Sequence, residues 1–235
     1  MCGIAGYLSP EKRFKESLLK QMTDRIQHRG PDADGFFVED AVGLGHRRLS
    51  IIDLSTAANQ PMFSHNSCYV IVFNGEVFNF QEVAKELGMP MKTTGDTEVI
   101  LEAYIKWGVD CVQKFNGMFA MAIYDRSEKT LTLFRDRFGV KPLYYYWNGS
   151  DFAFASELKA LLELPIEKEI DQTAIHDYFF LEYVPAQRTA FKSVRRLENG
   201  CYAKVNADGL QIKKYYSIID KLGKKLEFKN EKERF

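Results

Sequence analysis

An α+β fold with antiparallel sheets is predicted by two features of this 235-residue chain. Strand-like segments come in clusters of two to four, separated only by turn residues, with helical segments between the clusters. The strict strand–helix–strand alternation of a doubly wound parallel sheet is absent. With 46% hydrophobic and 14% aromatic residues, the chain can bury a substantial core.

The elements follow in order. Residues 3–8 form a short apolar strand. Residues 16–27 carry Leu18, Leu19, Met22 and Ile26 at helical spacing. His28-Arg29-Gly30-Pro31-Asp32 breaks that period with turn residues. Residues 35–39 and 41–52 read as strands around a turn, and 53–61 as a loop. Residues 69–73 are a compact apolar strand that ends at Asn74-Gly75-Glu76. Residues 81–87 form a short helix, 93–96 a loop, and 97–107 a helix with Val99, Ile100, Ala103, Tyr104 and Trp107 on its apolar face. Strands are expected at 119–124, 130–135, 143–147 and 152–156, then helices at 157–162 and 171–181. Asp171 stands in a capping position. Residues 200–205 and 211–216 make a hairpin around Ala207-Asp208-Gly209. After Tyr216 the composition turns Lys- and Glu-rich, as in a linker.

Charge narrows the function. Lys plus Arg and Asp plus Glu are both 32, so the net charge is +0. This supplies no electrostatic case for nucleic acid or an anionic membrane. No apolar run approaches the roughly 18–20 residues that span a bilayer, and no basic-then-apolar signal segment opens the chain. The four cysteines, at 2, 68, 111 and 201, show no C-x-x-C spacing, so neither zinc nor a disulfide framework is expected. A cytoplasmic, reducing setting is the expectation.

Cys2 is the residue that points to chemistry. With Met1 removed, one residue presents a thiol (pKa ~8.5) and an α-amine (pKa ~7.7–8.0), a nucleophile with its own base. Taken alone, a cysteine near a terminus is more often a small buried apolar residue. Asn74 and Gly75 could donate to an oxyanion, but Asn-Gly is also a common turn dipeptide. Arg48 could grip a carboxylate through two parallel bonds, and Glu76 with Asp96 could hold an ammonium; each could equally be a solvated surface charge. Arg29 and Asp32 bracket a Pro-stiffened turn. The run from Arg135 to Pro142 reads as a salt-bridged turn rather than a ligand site.

Eight motifs, in order, resolve these alternatives. They are Met1-Cys2-Gly3-Ile4-Ala5-Gly6, His28-Arg29-Gly30-Pro31-Asp32, His46-Arg47-Arg48-Leu49-Ser50-Ile51-Ile52-Asp53, Asn74-Gly75-Glu76-Val77-Phe78-Asn79, Gly95-Asp96-Thr97-Glu98, Asn116-Gly117-Met118-Phe119-Ala120, the Arg135–Tyr144 run and Ala155-Ser156-Glu157-Leu158-Lys159. From position 2 to about 216 the chain resembles the class II, N-terminal-nucleophile glutamine amidotransferase domain of glutamine-hydrolysing asparagine synthetases. The resemblance implies a four-layer αββα sandwich of two antiparallel sheets. It implies Cys2 as nucleophile with its own amine as base, and Asn74 and Gly75 as the oxyanion hole. It implies Arg48 on the glutamine α-carboxylate, Glu76 and Asp96 on the α-amino group, and Leu49, Ser50, Ile51 and Ile52 along the pocket. The implied reaction is hydrolysis of the glutamine side-chain amide through a γ-glutamyl thioester, giving glutamate and ammonia.

The family's other half is expected elsewhere. Its Ser-Gly-Gly-x-Asp-Ser phosphate loop occurs nowhere in these residues, so 217–235 read as a linker or the start of a missing ATP-dependent synthetase domain. No cofactor or metal is expected in this chain; ATP and magnesium would belong to that domain. The expected partners are glutamine as substrate and an ammonia-accepting synthetase domain or subunit, with no nucleic acid and no membrane, and a homodimer among the permitted assemblies. Two other readings stand beside the asparagine one: an acceptor that is a polysaccharide or sugar carboxylate or a sugar phosphate, and a non-catalytic regulatory domain of the same fold. Phe78 stands where the family usually has Tyr, which removes a hydroxyl.

Overall fold

In a computed structural model of the chain, residues 1–222 are described. Two six-stranded sheets are present among them. The first runs β10 (Val194–Arg196), β8 (Tyr144–Trp147), β9 (Phe152–Ala155), β1 (Gly3–Leu8), β3 (Val42–Arg48), β2 (Ala33–Glu39). The second runs β12 (Gly209–Lys214), β11 (Cys201–Asn206), β7 (Thr130–Arg135), β6 (Gly117–Asp125), β5 (Tyr69–Val77), β4 (Met62–Phe63). Neighbouring strands pair antiparallel in both.

The two-residue period of a strand assigns the faces. Ile4 and Leu8 of β1 and Leu44 of β3 meet Val70 and Val72 of β5 and Leu133 of β7 in one buried cluster between the sheets. The alternate residues face outward. Ala5 and Tyr7 are covered by Leu19 and Met22 of α1 (Glu16–Asp24) and Leu161 of α4 (Leu158–Leu161). Ile71, Phe119 and Met121 are covered by Val83 of α2 (Phe80–Leu87) and Ile100 of α3 (Asp96–Trp107). The result is helices, sheet, sheet, helices: the expected four layers. Because both faces of β1 are covered, it reads as an unbroken apolar run rather than an alternating one.

Helix α5 (Gln172–Leu181) starts where expected, with the Asp171 carboxylate accepting the amides of Thr173 (3.0 Å) and Ala174 (3.1 Å). No helix among the described residues is long and apolar enough to cross a membrane.

Three boundaries near the site differ from the sequence expectation, for local reasons. The first helix stops at Asp24, and a short 3-10 turn spans Gln27–Arg29. Gly30 must lie against the Arg47 carbonyl, where a Cβ would overlap it. The strand expected over 41–52 ends at Arg48, whose side chain gathers the next loop instead of letting the chain run on. The strand expected to stop at Phe73 continues to Val77, so Asn74 and Gly75 lie inside β5, opposite Ala120 and Phe119. Close packing of Gly75 on β6 overrides the turn preference of Asn-Gly. Strands β4 and β10, of two and three residues, are too short to show a period. Of the expected linker, residues 223–235 lie outside the described residues.

Candidate active site

A cavity of about 210 Å³ opens where the start of β1, the end of β3 and the second half of β5 converge on the N-terminus of α3. Cys2, Arg48, Leu49, Ile51, Ile52, Asn74, Gly75, Glu76 and Asp96 all line it. Of the residues singled out from the sequence, Ser50 does not; its amide instead donates to the Asp32 carboxylate at 2.8 Å, bracing the wall from behind.

Cys2 is held from both sides. Its Sγ lies 3.6 Å from the Leu49 carbonyl and 3.4 Å from the Leu49 amide. Arg29 donates Nε–H to the Cys2 carbonyl at 2.9 Å and Nη1–H to Glu157 at 2.8 Å. The turn that carries Arg29 therefore fixes the nucleophile's backbone, a contact the sequence reading left unweighted. Burial pushes the Cys2 thiol up; the Leu49 amide, the N-terminal charge and Arg48 act against that, and Asp96 adds to it. Met1 also lines the cavity, so in this form of the chain the α-amine belongs to Met1.

The outer edge of β5 supplies the donors. The Phe119 amide donates to the Asp136 carboxylate (3.2 Å) and its carbonyl accepts the Asp136 amide (2.8 Å), on the β7 side. Gly75, opposite Phe119, is thus a non-hydrogen-bonded pair whose N–H points off the sheet edge. The neighbours with the same orientation are engaged. Phe73 takes Gln60 on its amide (2.6 Å) and His46 on its carbonyl (3.2 Å), and the Val77 amide donates to Asp96 (3.0 Å). Beside Gly75, the Asn74 side chain is 1% exposed and its Nδ2 has no partner among the described residues. An idle buried donor costs about 1–3 kcal/mol, so its presence inside a cavity calls for a ligand acceptor.

Charge is arranged around these donors. The Arg48 guanidinium spends three N–H groups on the loop that follows, on Ser55 O (2.8 Å), Asn59 Oδ1 (2.6 Å) and Asp53 O. Five are available, so Nε–H and one Nη2–H remain. Asp53 ties that loop to the opposite wall by accepting the Thr94 amide at 2.9 Å, and bonds from Ser55 and Thr94 hold its carboxyl well below the usual range. Asp96, at the first position of α3, is raised to about 6, first by burial and then by the neighbouring Glu76, against the amides of Val77 and Thr97. His46, fully buried between the sheets, is pushed down to about 3 by burial and stays neutral. Among the described residues no His, Cys, Asp or Glu cluster of three or more gathers as a metal site would. His46 and Asp53 close the two ends of the third motif, but the sequence assigns neither a role: His46 is marked by its burial, and Asp53 by a loop that closes in three dimensions.

The comparisons with known proteins fit this geometry. Residues 1–216 match the model of a glutamine amidotransferase domain. A putative glutamine-hydrolysing asparagine synthetase 2 of Methanocaldococcus jannaschii is 38% identical over 237 residues, covering 92% of this chain and 46% of that protein. Asparagine synthetase 1 of Bacillus subtilis is 38% identical over 224 residues, covering 92% of this chain and 35% of that one. The chain spans less than half the length of these relatives. Among solved structures, the phosphoribosylpyrophosphate amidotransferase of B. subtilis superposes with a TM-score of 0.65 at 17% identity, over 92% of this chain and 49% of that one, a likeness of fold. This chain belongs to the glutamine amidotransferase domain family.

Proposed function

We propose that this domain is the glutaminase half of an asparagine-synthetase-like amidotransferase. The observation that carries the reading is the pair of idle donors, Asn74 Nδ2–H and Gly75 N–H, in the same cavity as the Cys2 thiol. Thiolate attack on a carbonyl needs donors waiting where the oxyanion will form.

Glutamine fits the rest of the cavity. Its α-carboxylate meets the two remaining Arg48 donors, and its α-ammonium lies between Glu76 and Asp96. The amine of Cys2, free once Met1 is removed, takes the thiol proton. The thiolate adds to the side-chain carbonyl, and the oxyanion is held by Asn74 and Gly75. The ammonium formed on Cys2 returns its proton to the leaving nitrogen, which departs as ammonia. Water then hydrolyses the γ-glutamyl thioester to glutamate. Ammonia passes to an ATP- and magnesium-dependent synthetase domain or subunit, whose acceptor is aspartate in the reading that the two named synthetases favour. A relative named Amidase chry2, of Gibberella zeae, is 32% identical over 217 residues, so the domain also occurs in a protein of another name.

The test is glutamate release from glutamine by the chain with Met1 removed, confirmed by intact mass, beside the Cys2→Ala variant. Release should fall to background in the variant. Undiminished release would remove Cys2 from the mechanism.

A further inference from the structure

The segment joining β7 to β8 (Arg135–Tyr144 in the motif) is not the salt-bridged turn that its charges suggest. The side chains of Arg135, Asp136 and Arg137 bond backbone instead. Arg135 donates to the carbonyls of Lys141 (2.9 Å), Leu197 (2.6 Å) and Gly139 (2.7 Å). The Asp136 carboxylate accepts the amides of Phe119, Phe138, Val140 and Lys141, at 2.9–3.2 Å. Gly139 takes φ 68°, and a Cβ there would press on the Arg135 guanidinium at 3.0 Å. These bonds share one consequence. The Lys141 amide is fixed by Asp136 and its carbonyl by Arg135, so the direction of its side chain is set.

That side chain is 3% exposed and lines the cavity beside Cys2. Its ammonium touches the Met1 sulfur and, among the described residues, makes no ion pair. A thioether is a weak acceptor. A buried cation with no carboxylate opposes folding, so its burial points to a use. Removal of Met1, the event that creates the proposed nucleophile, also takes away this one partner.

We propose that Lys141 is a positioning residue for the nucleophile: with Met1 gone, its ammonium is the fixed cation that favours the Cys2 thiolate and the neutral Cys2 amine. This rests on the reading of Cys2 as nucleophile. Other cations face the pair. Arg48 from β3 also favours the thiolate while its hydrogen bonds tie it to the loop that follows, and Arg29 is bound to the Cys2 carbonyl and Glu157. Asp96 from α3 acts in the opposite sense on the thiol, Glu76 from β5 acts on Lys141, and the carboxylate of Asp136 behind Lys141 is engaged by amides. Burial and Arg29 hold Lys141 below the usual lysine range, and Asp136, Cys2 and Glu76 act against that and favour its charged form.

The experiment follows iodoacetamide alkylation of Cys2 against pH, read by mass on the N-terminal peptide of the chain lacking Met1. Wild type, Lys141→Met and Lys141→Arg are compared. Lys141→Met should move the profile up by about one pH unit, which makes alkylation roughly tenfold slower at pH 7. The kcat for glutamine hydrolysis should fall by a similar factor with KM within about twofold, and Lys141→Arg should restore both. Lys141→Gln is read in the same way should the Met variant fold poorly. A profile that superimposes on wild type, above all with a lowered melting temperature, would make Lys141 a structural residue and overturn the proposal. Retained glutamate release by Cys2→Ala would instead sink the nucleophile reading, so the two failures are separable.

Discussion

Asp96→Asn tests whether the proposed ammonium pocket works against folding. Asp96 is 6% exposed and faces Glu76, and its pKa is raised from 3.8 to about 6. The folded state therefore binds this proton more tightly than the unfolded chain does. The sign follows: stability is highest below pH about 4, declines as pH rises through 6, and is flat above. About two pKa units, at about 1.4 kcal/mol each, put the cost of the ionised carboxylate near 3 kcal/mol at pH 8. An Asn at this position can still accept the Val77 amide, but less strongly than a carboxylate does. The expected gain at pH 8 is thus about 1–3 kcal/mol, or roughly 3–9 °C in melting temperature for a domain of this size. At pH 4 the gain should vanish, because wild-type Asp96 is then protonated when folded. In the same variant, KM for glutamine should rise about 10–100-fold, from loss of a charge-assisted bond to the α-ammonium. Thermal unfolding at pH 4, 6 and 8 with steady-state kinetics reads all of this. A variant less stable than wild type at every pH, or one with unchanged KM, would refute the reasoning.

Other outcomes follow from the same site. The kcat/KM of wild type should fall below pH about 6 as Asp96 protonates, and that limb should be missing from the pH profile of Asp96→Asn. Asn74→Ala removes a donor that has no partner in the fold, so kcat should drop about 10²–10³-fold with KM little changed and thermal stability within about 1 kcal/mol of wild type. Gly75→Ala places a Cβ 2.7 Å from Phe119 Cα and in overlap with the Met118 carbonyl, both backbone atoms of β6. It should cost about 2 kcal/mol or more in denaturant unfolding and displace the neighbouring donor; a variant with wild-type stability and rate would show that β5 is looser than described.

Much of the fold is legible because its elements bury continuous faces. The apolar period of α3 and the runs of β1, β6 and β7 are long enough to declare themselves. The site is legible only in part, and the reason is physical. Asn74-Gly75 looks like a turn because local preference says so, yet the close approach of β6 keeps it in a strand. That difference matters, since only within a strand does pairing with Phe119 turn the Gly75 amide outward. Asp53 takes its role from a loop that closes on Thr94 across 41 residues of sequence, Asn59 from the Arg48 side chain 11 residues before it, and Lys141 from a backbone fixed by the side chains of Arg135 and Asp136. Neither composition nor period carries such information.

The distribution of unsatisfied groups separates a working site from a regulatory domain of the same fold. Around the cavity most polar side chains are paired: Asp136 takes amides from two segments, Asp53 joins two loops, and Glu98 accepts the amides of Lys92 and Thr93 together with His65, while Arg29 Nη2 and His46 Nδ1 keep no partner among the described residues. Three groups of the cavity lining stand apart. The Asn74 amide donates to nothing, Lys141 has only a thioether, and Asp96 is buried against a second carboxylate. Each of these opposes folding, and their costs fall on independent groups from β5, the β7–β8 segment and α3. A domain that needed only its shape would fold better with Ala, Met and Asn at these three positions. In the proposed function the three share a remedy in one ligand that brings an ammonium to the acidic pair and a carbonyl oxygen to the idle donors, with an N-terminal thiolate to answer the buried cation. The stability gained by Asp96→Asn and Lys141→Met, set against the activity they lose, is therefore the quantity that decides between the two readings.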